Sequence, residues 1–393
     1  MAKTRHVLDT IALEGIVTVR DRLIAAQASG HEIYRLESGD PSFPVPEHIA
    51  GAMKEALERG YTHYTSGIGI MALREAACAK IRELNHVPVK DPEHTLITNG
   101  AMHGLYIAFR ALLDPGDEVI VPDPIWTETA DGVTLATGSP IRVPLDEQAG
   151  YRYDAAAIAK AITKRTCAIV INSPHNPTGA VASRDELAQI VSVAKKNNLW
   201  LISDEAYEDI VFDGCTHVSC GALGYDKVIS VFSLSKSYAM AGLRLGYLAC
   251  NDDRLIERMT KLLRCTTNGV NSVTQYGGVA ALTGPRDVPR AMTDEYCVRR
   301  DLLWQALTSV KVLTPFKPSG AFYLWAKIDD AWHSPTGGND GWAMTEFLID
   351  KGGVGSAPGE VFGPAGGRHI RLSFSCATEQ VEKAAQILNR ILA

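Results

Sequence analysis

Five short apolar runs punctuate the first two thirds of the chain: Thr95–Thr98, Glu118–Val121, Cys167–Ile171, Leu199–Ser203 and Lys227–Phe232. Runs of this length, rich in valine and isoleucine with no polar alternation, predict strands buried on both faces. Helical stretches separate several of them: one to about Leu113, one to about Thr137 and one over Arg184–Lys196. Strand–helix alternation predicts an α/β fold with a mostly parallel sheet flanked by helices. In such sheets ligands bind outside the carboxyl ends of the strands. The residues that follow each run are therefore the first candidates for chemistry.

Those residues are unusually polar. The run ending at Phe232 continues Ser233-Leu234-Ser235-Lys236, and Arg244 follows eight residues after the lysine, ahead of the apolar run Leu245–Cys250. The run ending at Ser203 continues Asp204-Glu205-Ala206-Tyr207. A carboxylate placed there beside apolar residues costs free energy unless it is paired. After Ile171 comes Asn172-Ser173-Pro174-His175-Asn176-Pro177-Thr178-Gly179, whose two X-Pro pairs and glycine disfavour regular structure. Asn99-Gly100-Ala101-Met102-His103 follows Thr98 and opens a helix, so free backbone N–H groups and the helix dipole meet at one point, which suits phosphate. Pro122-Asp123-Pro124 leads to Trp126. Taken singly, each has an ordinary reading: a surface lysine in a serine-rich turn, a core tryptophan, a common glycine turn.

Taken in order, these segments resemble the class I/II aminotransferases, pyridoxal-phosphate enzymes of fold type I. The resemblance runs from Gly39 to Arg371, and its most diagnostic feature is Asp204, then Lys236 32 residues later, then Arg244. It implies that Lys236 links covalently to the cofactor aldehyde and later moves the substrate α-proton. Ser233, Ser235, Arg244 and the turn Gly100-Ala101-Met102 then hold the cofactor phosphate. Trp126 stacks on the ring, Asp204 pairs with the ring nitrogen, and Asn176 and Tyr207 bond the phenolic oxygen. Tyr64, in Tyr64…Gly69…Leu73-Arg74, reaches the phosphate of a second subunit in the family. Arg371, in the element Pro358-Gly359…Phe362-Gly363…Arg371-Leu372-Ser373, grips the substrate α-carboxylate; Gly39, Trp126 and Asn176 line the same substrate site. His103, Glu205 and Arg368 read as structural neighbours.

The expected architecture is a large cofactor-binding domain over residues 50–285 and a small α/β domain over 286–393, joined by residues 1–49 as an arm and part of the small domain. The proline-rich stretch Leu36–Pro46 reads as an extended connector. A long helix is expected from about Arg290, just after Pro289, to Ser309, a strand over Gly320–Trp325, and a last helix over 378–391.

Composition removes other classes. A net charge of −6 without a long basic block argues against nucleic acid as a partner. Charged residues Lys3, Arg5, Asp9, Glu14 and Arg20 leave no apolar leader, and no run approaches a membrane span. The eight cysteines are scattered without C-x-x-C spacing, so reduced thiols, no metal and a cytoplasmic location are expected. No G-x-G-x-x-G follows an early strand, which disfavours a nicotinamide dehydrogenase.

The expected activity is ping-pong transfer of an amino group between an L-amino acid and a 2-oxo acid by a homodimer. Where bacterial aspartate aminotransferases often carry a lysine, the cup here has Met102, and no arginine stands in Thr266–Asn271, so neutral or aromatic donors are expected. Arg264 is the nearest cation that could instead accept a dicarboxylate. Aspartate or glutamate transamination, C–S lysis and decarboxylation remain open alternatives, because one constellation supports several reactions.

Overall fold

The computed structural model describes residues 6–12 and 15–393. Lys3, Arg5 and Glu14 lie outside the described residues. The chain forms two sheets. The larger contains β1 (Thr95–Thr98), β2 (Glu118–Asp123), β3 (Ser139–Pro144), β4 (Thr166–Asn172), β5 (Trp200–Asp204), β6 (Val228–Ser233) and β7 (Gly246–Cys250). The smaller contains β8 (Leu313–Phe316), β9 (Tyr323–Ile328), β10 (Ala357–Pro358) and β11 (His369–Ser373).

The large sheet has the order β1-β7-β6-β5-β4-β2-β3. Its members β2, β3, β4, β5 and β6 pair in parallel, while β7 runs antiparallel to both β6 and β1. The central strands are covered on both faces, which is why they read as continuous apolar runs. Helices Ala101–Leu112 and Asp253–Thr266 cover one face through Leu105, Phe109, Met259 and Leu263. Helix Arg184–Asn197 covers the other through Leu187, Ile190 and Val191. That helix starts on a Ser183–Glu186 capping box and stops at Asn198 in the left-handed region, φ 57°.

The small sheet is antiparallel, with the order β10-β11-β9-β8. Helices Asp287–Thr308 and Thr378–Ile391 bury Tyr296, Leu303, Leu307, Val381 and Leu388 in a core with Phe322, Leu324 and Leu372. Burying each such leucine or phenylalanine contributes roughly 1.5–3 kcal/mol. Tyr34 and Leu36 join the same core. The proline-rich connector after them stays irregular and is held at the β11 side, where the Ser373 N–H donates to Leu36 O (2.6 Å) and the Ser42 N–H to Ser375 O (3.0 Å).

Three sequence expectations shift. The long helix begins at Asp287, before Pro289, because a proline in the first turn loses no intrahelical bond. The strand expected over Gly320–Trp325 starts at Tyr323, since Gly320 N–H donates to Gly179 O (2.9 Å) and Ala321 sits at φ 56°. Strands β3, β8, β10 and β11 were not expected: the first three lie at sheet edges and contain proline, and β11 carries His369 and Arg371, so none has a continuous apolar run. Among the described residues no helix is long and apolar enough to cross a membrane.

Candidate active site

A cleft of about 510 Å³ opens where the carboxyl ends of β4, β5 and β6 face the small sheet. Every predicted site residue except Gly100 and Tyr64 lines it. Gly100 lies just behind, as the N-cap of helix Ala101–Leu112. Its φ of 79° suits glycine, and a Cβ there would run into the Arg244 guanidinium. No side chain caps this helix, so its first N–H groups remain available where Ala101 and Met102 line the cleft. Arg244, itself at φ 55°, is exposed and held by a bond from Nη1 to Ala241 O (2.7 Å), with no carboxylate among the described residues bonded to it. Ser233 and Ser235 are buried beside it, the Ser235 N–H donating to Ser233 Oγ (3.2 Å). This end of the cleft is a cradle of donors and one guanidinium, suited to a phosphate.

The middle of the cleft holds two groups with displaced proton affinities. Burial pushes the Asp204 carboxyl up to about 7; the Ala206 N–H opposes the rise and Glu205 adds to it. Among the described residues no cation bonds this carboxylate, whose Oδ1 accepts from the Ala206 N–H (3.2 Å). Lys236 is lowered to about 8 by burial, against the pull of Asp40 and with help from Arg371 and Arg244. Its Nζ donates to Gly39 O (2.6 Å). A neutral amine is therefore accessible near neutral pH, and a buried carboxylate waits for a positive partner. Glu205 turns away into a buried pair with His217 (2.9 Å) and Ser219, as its structural reading requires. Among the described residues, Glu205, Glu208 and His217 are close enough to hold a metal, but Lys80 already pairs with Glu208.

The far wall carries Arg371, which is 1% exposed. Its Nη1 donates to Asn176 Oδ1 (2.9 Å), its Nη2 to Glu37 O (2.8 Å), and its Nε has no partner. Among the described residues no carboxylate bonds this buried guanidinium. Aromatic faces surround it instead: Cζ lies 4.1 Å from the Tyr323 ring centroid, 4.9 Å from Phe362 and 5.6 Å from Trp126. Burial lowers its proton affinity, and the tyrosines nearby partly restore it.

Sequence reasoning missed several lining residues. Asn172 accepts the Asn176 N–H on Oδ1 (2.8 Å) and donates to Asp204 O (3.2 Å), fixing both. Its signal was available: it is the first polar residue after an apolar run, and as the last residue of β4 it stands level with Asp204 on the next strand. Tyr323 hydrogen-bonds Tyr207, hydroxyl to hydroxyl, at 2.8 Å. Arg20 and Arg35 also line the cleft, paired with Asp21 and Glu37 respectively. Nothing local marks these last three, because the fold brings them in from distant segments. His103 accepts the Asn99 N–H (3.2 Å), meets Thr266 (3.0 Å) and does not line the cleft. Arg264 is exposed and outside it too. Tyr64 is 92% exposed and reaches nothing in the cleft of its own chain.

Known proteins match this arrangement along nearly the whole chain. The chain is 33% identical to the aspartate aminotransferase of Bacillus sp. (strain YM-2), covering 93% of each. It is 34% identical to the aromatic-amino-acid aminotransferase 2 of Thermococcus litoralis, covering 92% of each. The solved aspartate aminotransferase from Thermus thermophilus with maleate superposes with a TM-score of 0.91 at 34% identity, over 100% of both chains. With residues 31–388 matching the family described as aminotransferase class I and II, the chain belongs to that family and is an aminotransferase.

Proposed function

We propose that the cleft binds pyridoxal 5′-phosphate and moves an amino group from a neutral or aromatic L-amino acid to a 2-oxo acid. The observation that carries this reading is the meeting, in one cleft, of a lysine lowered to about 8, a buried carboxylate with no cation and a buried guanidinium with no carboxylate. Each lacks what a phosphopyridine aldehyde or an amino acid would bring.

The helix N-terminus at Ala101, with Ser233, Ser235 and Arg244, would hold the phosphate. Trp126 would lie against the ring, Asp204 would pair with the ring nitrogen, and Asn176 and Tyr207 would bond the phenolic oxygen. When bound, the cofactor supplies an electron sink for the α-carbanion and carries the amino group between two substrates. Lys236 would hold the cofactor covalently through Nζ and, once the incoming substrate amine displaces it, that freed nitrogen would take the α-proton and return it. Arg371 orients the α-carboxylate so that the α-hydrogen faces that amine. Without a cofactor, Nζ donates to Gly39 O instead.

Donor choice rests on the apolar residues of the cleft lining, among them Ile16, Met102 and Leu105. No lysine stands at position 102, and burying a second carboxylate against apolar groups is costly. A dicarboxylic donor draws support from Arg20 and Arg35 and from the relatives' names, but both arginines already have carboxylate partners. The experiment is a donor screen with enzyme loaded with pyridoxal phosphate, using leucine, methionine, alanine and phenylalanine against aspartate and glutamate. Aspartate winning tenfold, about 1.4 kcal/mol of transition-state preference, would overturn the neutral-donor reading.

The same reading includes a cytoplasmic homodimer, with residues 50–285 as the large domain and 286–393 with the N-terminal segment as the small one. Support for the dimer comes from Tyr64, which lies bare on the surface with Leu57 and Met71 also exposed. A second copy would cover it and receive its hydroxyl. The free cysteines suit a reducing compartment.

A further inference from the structure

Strands β9 and β11 pair so that Tyr323 stands opposite Ser373 and Arg371 opposite Trp325. Tyr323 and Arg371 are thus diagonal neighbours on one face of the small sheet, which explains the 4.1 Å approach of the guanidinium to the ring. The other end of the same side chain touches the large domain's chemistry, its hydroxyl meeting Tyr207 at 2.8 Å. Tyr323 is 2% exposed and lines the cleft, and its hydroxyl lies where a Cβ on Gly39 would fall. One buried side chain therefore contacts three predicted site residues from three separated segments: Gly39, Tyr207 and Arg371.

We infer that Tyr323 is a positioning residue that ties the cofactor-oxygen donor Tyr207 to the carboxylate-binding Arg371. The inference rests on the cofactor reading above. With a cofactor oxygen present, the Tyr207 hydroxyl donates to it and has its acceptor lone pairs free for Tyr323. Tyr323 then donates to Tyr207, and a donor that is itself accepting becomes stronger. The ring does separate work, supporting the face of Arg371 and fixing its fork in the plane the carboxylate needs. The hydroxyl also requires glycine at position 39, whose carbonyl holds Lys236 at 2.6 Å.

The two parts of the side chain predict two separable losses. Tyr323→Phe keeps the ring and removes only the hydroxyl. Tyr207 then donates more weakly, the negative cofactor oxygen is less stabilised, and the bound chromophore holds its proton to higher pH. Other charged groups facing the pair are Arg371 and Asp204, with Asp40 and Arg244 around Lys236, and this substitution alters none of them. Expected for Tyr323→Phe is a rise of about half a pH unit or more in the midpoint of the visible-absorbance titration of the loaded enzyme, with KM for the amino acid within about twofold of wild type. Expected for Tyr323→Leu is the same rise together with a KM increase of about fivefold or more. A wild-type titration with an unchanged midpoint in Tyr323→Phe overturns the inference, as does a KM in Tyr323→Leu matching that in Tyr323→Phe. Failure of the cofactor reading looks different: wild-type protein mixed with pyridoxal phosphate would show no Lys236-dependent visible band. Far-ultraviolet circular dichroism and Tm of both variants identify a folding defect, and Tyr323→Phe, losing one hydroxyl, keeps the test available if Tyr323→Leu does not fold.

Discussion

Lys236, Asp204 and Tyr207 stand on or just beyond the carboxyl ends of β6 and β5, neighbouring parallel strands of the large sheet. Arg371 and Tyr323 stand on antiparallel strands of the small sheet, with Glu37 and Gly39 supplied by an irregular connector from near the N-terminus. On the first side, position follows from strand length: a residue after a buried strand has to emerge at the sheet edge. On the second side, the contacts depend on docking pieces far apart along the chain: the Tyr207–Tyr323 bond spans 116 residues, Arg371–Asn176 spans 195 and Arg371–Glu37 spans 334. The cofactor side is therefore a property of local chain geometry, and the substrate side is a property of packing. Damage to the two sides should look different in solution.

The largest loss is expected from the cofactor side. Lys236→Ala should abolish the covalent visible chromophore and cut turnover by roughly 10⁴-fold or more, because nucleophile and proton carrier disappear together. Borohydride treatment followed by peptide mapping is the check; an adduct at another lysine in the wild type would remove Lys236 from its role. Asp204→Asn should lower turnover by about 10²–10³-fold while leaving the fold intact, since it removes the carboxylate proposed to hold the ring nitrogen protonated. Single-turnover rates and a thermal melt measured together decide it, and near-normal turnover counts against that contact.

Substrate-side damage should leave the chromophore in place. Arg371→Lys keeps the charge but loses the fork, so KM for amino acids should rise about 10–100-fold with an unaltered visible spectrum. A spectral change without a KM change would mean that Arg371 belongs to the cofactor side. Next comes donor choice, where leucine or phenylalanine should exceed aspartate in kcat/KM; Met102→Lys should shift that ratio toward aspartate by about tenfold. An unmoved ratio would show that the distal part of the substrate lies elsewhere.

The smallest expected effect is on stability. Lys236 is lowered to about 8 in the fold, so between that pH and the ordinary lysine range the unfolded chain binds the extra proton. Stability of the cofactor-free protein should therefore rise with pH through this window. Lys236→Met removes the burden, and its Tm advantage should be greatest below pH 8 and shrink above it. An advantage independent of pH would mean that the amine carries no such cost.

The amino-acid sequence by itself determined most of the large sheet and most of the residues that line the cleft at the ends of its strands. Buried parallel strands leave uninterrupted apolar runs, and the polar residues at their ends stand out against them, as at Ser203-Asp204 and Phe232-Ser233. The spacing from Asp204 to Lys236 to Arg244 survives in one dimension because Asp204 ends β5 while Lys236 and Arg244 both lie in the short connection from β6 to β7. Edge strands β3 and β8 were illegible, since half-exposed strands containing proline carry no such run. Only the tertiary structure decided that Tyr323 meets Tyr207, that Asn172 fixes Asn176, that Arg20 and Arg35 reach the cleft while Arg264 does not, and that Arg371 is buried without a carboxylate. Those contacts join segments far apart along the chain, and local sequence pattern holds no record of which distant faces will dock.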